Sequence, residues 1–306
     1  MSFSSNSKRR LPLVQVDVFT SVPLEGNQLA VFTDARGLSD AEMQALAREM
    51  NFSETTFILP RDAATERERG VRVRIFTVNE ELPFAGHPTL GTAMVLRDNA
   101  QRDGGKHGQD EIALDLNVGK IPVRFSTRDN LPFGVMTQRD PEFGQTHTRE
   151  DVARAVGLAI DDIAADVPIQ TVSTGNAFIM TPLRALSVLQ NLSPTWANMQ
   201  SFLEKSDGKF FYFIAREAVN PDARLQTRMI FYNGEDPATG SAAGPCAAWA
   251  VKYGVVPPDQ QFLLEQGVEI KRRGRIFFSA SRQGDKIVNV RVGGHAVEVV
   301  RGEVFL

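Results

Sequence analysis

Four residues of chemically useful type stand where chains usually present reactive groups. Glu54, His87, Asp236 and Ser241 each fall at a strand-to-turn or turn-to-helix junction. His87 lies in Gly86-His87-Pro88, between an extended run over residues 71–78 and a helical run expected over 89–97. Pro88 takes the place expected of the first helical residue. The opening turn of a helix leaves backbone N–H groups without intrahelical partners and carries partial positive charge, so it accepts a carboxylate or phosphate. An imidazole there adds a group that carries a proton near neutral pH. Glu54 marks the mouth of a β-branched strand, and an enclosed, partly apolar cleft would raise its pKa toward that of a useful base. These residue types predict proton transfer on a small carboxylic acid. Two plainer roles remain open: Asp236 as a turn acid before Pro237, and Ser241 as a helix cap.

The elements that must position these residues come in two similar sets. Residues 228–231 are strand-like, Gly234-Glu235-Asp236-Pro237 is a turn, and Thr239-Gly240-Ser241-Ala242-Ala243 opens an apolar helix that runs toward Gly254, a C-terminal stop. Gly86-His87 and Gly240-Ser241 are 154 positions apart. Gly26-Asn27 and Gly175-Asn176, each before an apolar strand, are 149 apart. Two matches at nearly one offset suggest a fold said twice, against the alternative of chance agreement between short glycine motifs. If the halves are related by an approximate twofold, the two helix starts can face one cleft. Elsewhere, Ser39 caps a helix expected over 40–50 with Glu42 at the capping-box position. Residues 61–70 read as a charged, solvated loop and 98–109 as an exposed connection. The second half offers a loop around Pro141, helices near 149–156, 183–190 and 194–205, and strands at 169–172 and 210–215. Short strands separated by glycine turns make up the tail. Many strands with one principal helix per half predict an α+β architecture.

The chain has 306 residues, which suits two domains of about 150 each. Its net charge of −3, without a long basic run, argues against nucleic acid and anionic membrane as partners. No apolar run approaches the roughly 20 residues of a membrane span. The Ser-rich N-terminus lacks a signal-peptide core and reads as a disordered tail, with the folded chain expected from residue 13. Cys246 is the sole cysteine, which excludes an intrachain disulfide and fits a cytoplasmic location. There is no phosphate-binding G-x-x-x-x-G-K-[ST] loop, no G-x-G-x-x-G after a strand and no H-E-x-x-H. The Gly240-Ser241-Ala242-Ala243-Gly244 run is not a G-x-S-x-G elbow. His87, His107, His147 and His295 show no metal-ligand spacing. Solvated or turn roles are expected for the last three, and neither metal nor nucleotide cofactor is expected.

Longer motifs are more specific. Ser21-Val22-Pro23-Leu24-Glu25-Gly26-Asn27, Glu49-Met50-Asn51-Phe52-Ser53-Glu54-Thr55-Thr56-Phe57, residues 82–93, residues 235–245 and Leu264-Glu265-Gln266-Gly267-Val268-Glu269-Ile270 resemble the signatures of the PhzF phenazine-biosynthesis family. That resemblance implies a diaminopimelate-epimerase-like fold with two pseudo-symmetric domains, each a barrel-like sheet around a central helix. The expected spans are 13–130 and 131–306, with the last strand free to return to the first domain. Related epimerases use two cysteines at the helix starts; here those positions hold His87 and Ser241, and Cys246 is too far along the helix to substitute. The resemblance implies Glu54 as base and proton shuttle, with His87, Asp236 and Ser241 orienting substrate and assisting proton transfer. Ser53, Gly86 and Gly240 would bind substrate. It also implies a cofactor-independent, homodimeric isomerase of trans-2,3-dihydro-3-hydroxyanthranilate. The alternatives are an isomerase or epimerase of another carboxylated metabolite, or a partner-binding member without catalysis.

Overall fold

A computed structural model describes residues 9–102, 104, 110–232 and 234–306. The chain forms two compact units. The first takes residues up to Leu24, Gln28–Gly134 and His295–Leu306; the second takes Glu25–Asn27 and Val135–Gly294.

Both units use the same strand grammar. In the first, Asn27–Phe32 runs parallel to Glu54–Leu59, which pairs antiparallel with Val71–Phe76. That strand runs parallel to Glu111–Leu116, which turns back antiparallel as Gly119–Arg128. The second unit repeats the sequence of pairings. Ala177–Pro182 is parallel to Phe210–Ala215, then antiparallel to Ala223–Arg228, parallel to Phe262–Gln266 and antiparallel to Gly274–Gln283. The helix Asp40–Met50 fills the first crossover, and Leu186–Gln190 with Trp196–Leu203 fills the second. The fold is therefore α+β and said twice. The chain's final strand, Ala296–Phe305, pairs antiparallel with Arg10–Val18 in the first unit.

Each unit holds a central helix that is buried on all sides from its N-terminus onward for at least ten residues, save Ser241, as expected where a helix is apolar or small all round. In Gly86–Arg102, every residue from 86 to 95 is buried. A Cβ on Gly91 would stand 2.7 Å from both Leu29 Cδ2 and Val18 Cγ2, so only glycine lets the helix approach the strands this closely. In Gly240–Lys252, Gly240 and residues 242–251 are buried. Thr56 and Thr92 hydroxyls bond at 2.9 Å and tie the Glu54 strand to the first helix. Phe32 stacks on Phe57 at 5.0 Å in the same core.

Local signals hold where capping decides them. Ser39 Oγ accepts from the Glu42 N–H, and Glu42 Oε2 accepts from the Ser39 N–H at 2.8 Å, closing the expected box. Several expectations are corrected. Residues 61–70 contain a helix, Ala63–Arg69, started by Asp62 Oδ1 accepting from the amides of Ala64 and Thr65. A charge run without apolar periodicity concealed it, and the cap reveals it. The first central helix is longer than expected: it begins at Gly86 and runs to Arg102, through part of the supposed connection, and Pro88 is its third residue. The loop expected around Pro141 is present but short, residues 138–141, and Glu142–His147 continues from it as a strand. Arg10, Leu11 and Pro12 already belong to the first strand, and the Arg9 amide donates to the Leu306 carbonyl at 2.8 Å; residues 1–8 of the expected tail lie outside the described residues, as does His107. Among the described residues, no helix is long and apolar enough to cross a membrane.

Candidate active site

In the first unit, Glu54 is the first residue of its strand and His87 the second residue of the central helix. The strand-to-helix packing brings them together: Glu54 Oε2 lies 3.5 Å from His87 Nε2. The side chains are 16% and 4% exposed, so this contact is almost dry. Burial pushes the His87 pKa down to about 3, against a weaker opposing effect from a hydrogen bond with the Gln28 backbone. The imidazole is thus neutral over the working range, and its contact with Glu54 is between a carboxyl and a neutral ring. Ser53 directly precedes Glu54, partly buried, and Gly86 opens the helix beneath His87.

His87 makes folding sensitive to acid. Its native pKa lies below the unfolded value near 6.5, so the unfolded chain binds the extra proton between pH 6.5 and about 3. Stability is fully present above that window and falls as pH drops through it. His147, also lowered by burial, adds in the same direction. His87→Gln should flatten the acid limb of stability against pH by up to about 1.4 kcal/mol per pH unit. Urea denaturation at a series of pH values measures this; an unchanged slope would contradict a buried, neutral imidazole.

In the second unit, Asp236 is 7% exposed and tightly held. Its Oδ1 accepts from Asn27 Nδ2 at 2.9 Å, and its Oδ2 accepts from Thr239 Oγ1 at 2.6 Å. Asn27 Nδ2 also donates to the Ala238 carbonyl at 3.0 Å. Gln266 Nε2 donates to the Asp236 carbonyl at 2.7 Å and to Thr239 Oγ1 at 2.8 Å, while its Oε1 accepts from the Tyr212 hydroxyl at 2.9 Å. Asp236 is more than a turn acid. Thr239, not Ser241, is the N-cap; Gly240 and Ser241 follow it as the first two residues of the helix. Gln138 Nε2 donates to the Gly240 carbonyl at 2.9 Å, packed where Gly244 has no side chain.

Asn27, Thr239 and Gln266 emerge as supports of Asp236 that residue-by-residue reading did not single out. Asn27 and Gln266 lie in motifs already noted, but only the fold shows what they hold. Burial raises the Cys246 pKa and keeps it a thiol, as suits helix packing. His147 departs from its expected loop position: it ends the strand Glu142–His147, and its Nε2 bonds Thr171 Oγ1 at 2.8 Å. His295 keeps the expected connecting position, between Lys286–Gly294 and Ala296–Phe305, with Nδ1 bonding the Pro132 carbonyl at 2.7 Å.

Comparison with known proteins places these residues in context. A profile of the PhzC-PhzF family, described as phenazine biosynthesis-like protein, matches residues 16–302. An uncharacterised isomerase from Mesorhizobium japonicum is 35% identical, covering 95% of this chain and 97% of its own. Trans-2,3-dihydro-3-hydroxyanthranilate isomerase from Pseudomonas chlororaphis is also 35% identical, covering 96% and 99%. Among solved structures, a PhzF-family phenazine biosynthesis protein from Bacillus anthracis superposes with a TM-score of 0.86 at 27% identity, over 97% of this chain and 100% of that one. A hydroxyproline epimerase from Agrobacterium vitis shares the fold alone, with a TM-score of 0.67 at 12% identity over 99% of this chain and 93% of its own.

Proposed function

Because the chain belongs to the PhzC-PhzF phenazine biosynthesis-like family, we propose that it is a cofactor-independent isomerase acting on trans-2,3-dihydro-3-hydroxyanthranilate. Relatives named as isomerases at 32–35% identity support isomerase chemistry. The observation that carries the reading is the Glu54 carboxyl at a strand mouth, 3.5 Å from a buried imidazole. Glu54 takes the proton from ring carbon C3 as the ring's double bonds shift. The protonated Glu54 returns it to C1 on the same face, and the resulting enol relaxes to a ketone. The reaction is an isomerisation, so no electrons or atoms enter or leave. One short carboxyl must reach both carbons, which places demands on orientation more than on strength of binding.

His87, neutral at working pH, orients the reacting groups by hydrogen bonding without adding charge. Asp236 and Ser241 are assigned to substrate orientation, with Ser53, Gly86 and Gly240 in binding. Helix-start amides are suited to a carboxylate. The test is proton NMR of the purified protein with trans-2,3-dihydro-3-hydroxyanthranilate in H₂O and D₂O. Conversion to the ketone is expected, and the deuterium content at C1 reports how far the shuttled proton exchanges. A folded protein that leaves this compound unchanged would reject the substrate and direct the search to other small carboxylic acids.

A further inference from the structure

Each unit contains a shielded arginine–glutamate pair that the proposed proton transfer does not use. Arg74 donates from Nε to Glu81 Oε1 at 2.8 Å and from Nη2 to Oε2 at 2.5 Å. Arg228 donates from Nε to Glu235 Oε1 at 2.9 Å and from Nη2 to Oε2 at 2.6 Å. The same atoms pair in the same way. Arg74 and Arg228 are 154 positions apart, as are Glu81 and Glu235, and this is also the spacing of Gly86 and Gly240. The backbone repeats with them: Phe76 pairs with Glu81 in one hairpin, and Ile230 with Glu235 in the other.

Each fork therefore staples the two arms of a tight hairpin just ahead of a central helix. The remaining guanidinium nitrogen anchors the staple outward. Arg74 Nη1 donates to Asp40 Oδ1 at 2.6 Å, at the start of Asp40–Met50. Arg228 Nη1 donates to the carbonyls of Leu189 and Leu192 at 2.9 and 2.7 Å. Desolvation offsets much of the attraction in shielded ion pairs, so their worth lies more in geometry than in stability. A planar guanidinium meets a carboxylate in one orientation, which an ammonium does not impose. The residue after Glu235 is Asp236, and residues 82–85 lead from Glu81 into Gly86-His87.

We propose that Arg74 and Arg228 are duplicated positioning residues. Through Glu81 or Glu235, each holds the turn that presents His87 in one unit and Asp236 in the other. Only the catalytic consequence rests on the isomerase reading.

The experiment compares Arg74→Lys and Arg228→Lys with Arg61→Lys. Arg61 is the control because it bonds the Gly70 carbonyl and Asp115 instead of either hairpin. Three signals are read: the His87 titration by NMR of histidine-labelled protein, amide exchange over residues 234–241 by mass spectrometry, and kcat with KM for trans-2,3-dihydro-3-hydroxyanthranilate. Arg74→Lys should admit water beside His87, which faces Glu54, and move its midpoint up by about one pH unit or more toward the ordinary value. Arg228→Lys should leave that titration alone and speed exchange over 234–241 by about tenfold or more, as local opening becomes easier. Both should lower kcat about 100-fold with little change in KM, the effect of misplacement by about an ångström. Arg61→Lys should move none of the three.

Unchanged local signals in the two hairpin variants would overturn the proposal. So would the same signals in Arg61→Lys, or altered local signals with wild-type kcat. If a lysine variant does not fold, Glu81→Gln or Glu235→Gln is read in the same way. Failure of the isomerase reading would show separately, as a wild type without turnover whose local signals still decide whether the staples work.

Discussion

Glu54→Gln should fold, bind the substrate and lose turnover by about 10²–10⁴-fold, the range general acid–base groups contribute. The substitution conserves shape in a contact that is nearly dry, with Glu54 16% exposed and 3.5 Å from His87. A carboxyl accepts a proton and returns it; an amide of the same outline does neither. The neutral His87 is a poor substitute, because burial holds its pKa at about 3 and leaves it a weak base. The measurement pairs NMR turnover with calorimetric binding of the substrate. Turnover within tenfold of wild type would remove Glu54 from the proton path. Loss of binding alongside turnover would reassign it to holding the substrate.

Asp236→Asn should lower stability by about 1–3 kcal/mol, the penalty for leaving a buried polar group unsatisfied. Asp236 accepts on both oxygens, from Asn27 Nδ2 and from Thr239 Oγ1. An asparagine presents one oxygen and one NH₂, so either Asn27 Nδ2 loses its acceptor or Thr239 Oγ1 must accept from the NH₂. Thr239 Oγ1 already accepts from Gln266 Nε2, so accepting a second bond turns its own proton away from the side chain that took it. The conflict sits at the entrance of the helix that carries Gly240 and Ser241, so turnover should fall by about 100-fold through misplacement. Urea denaturation and steady-state kinetics read the two effects. A variant as stable as wild type would show that the network tolerates the swap, and that Asp236 is not held as tightly as its bonds indicate.

Much of this protein was legible before its structure. The helix Asp40–Met50 follows from Ser39 and Glu42, and the strand Phe210–Ala215 from an unbroken apolar run, because caps and short-range periodicity act between neighbours. The 154-residue spacing of Gly86 and Gly240 pointed to a repeated fold, and the strand pairings repeat in order. Glu54 and His87 were recognised by their junctions, and their motifs carried the family resemblance. Where local patterning was silent, the reading failed: the Ala63–Arg69 helix shows charge without an apolar stripe, and His147 looks like a loop residue until Thr171 is placed against it.

What the tertiary structure decided is which groups lose water and which partners they meet. Asn27 and Asp236 are 209 positions apart, yet share a buried hydrogen bond. The neutrality of His87 comes from burial that no feature of Gly86-His87-Pro88 announces. The forked pairs of Arg74 with Glu81 and Arg228 with Glu235 were visible only as charges in strand-like and turn stretches until the hairpins closed on them. The division has a physical reason. Backbone preference and capping are settled within a few residues, so the sequence alone determines them, whereas desolvation and hydrogen-bond partnership depend on segments that only the folded chain brings together.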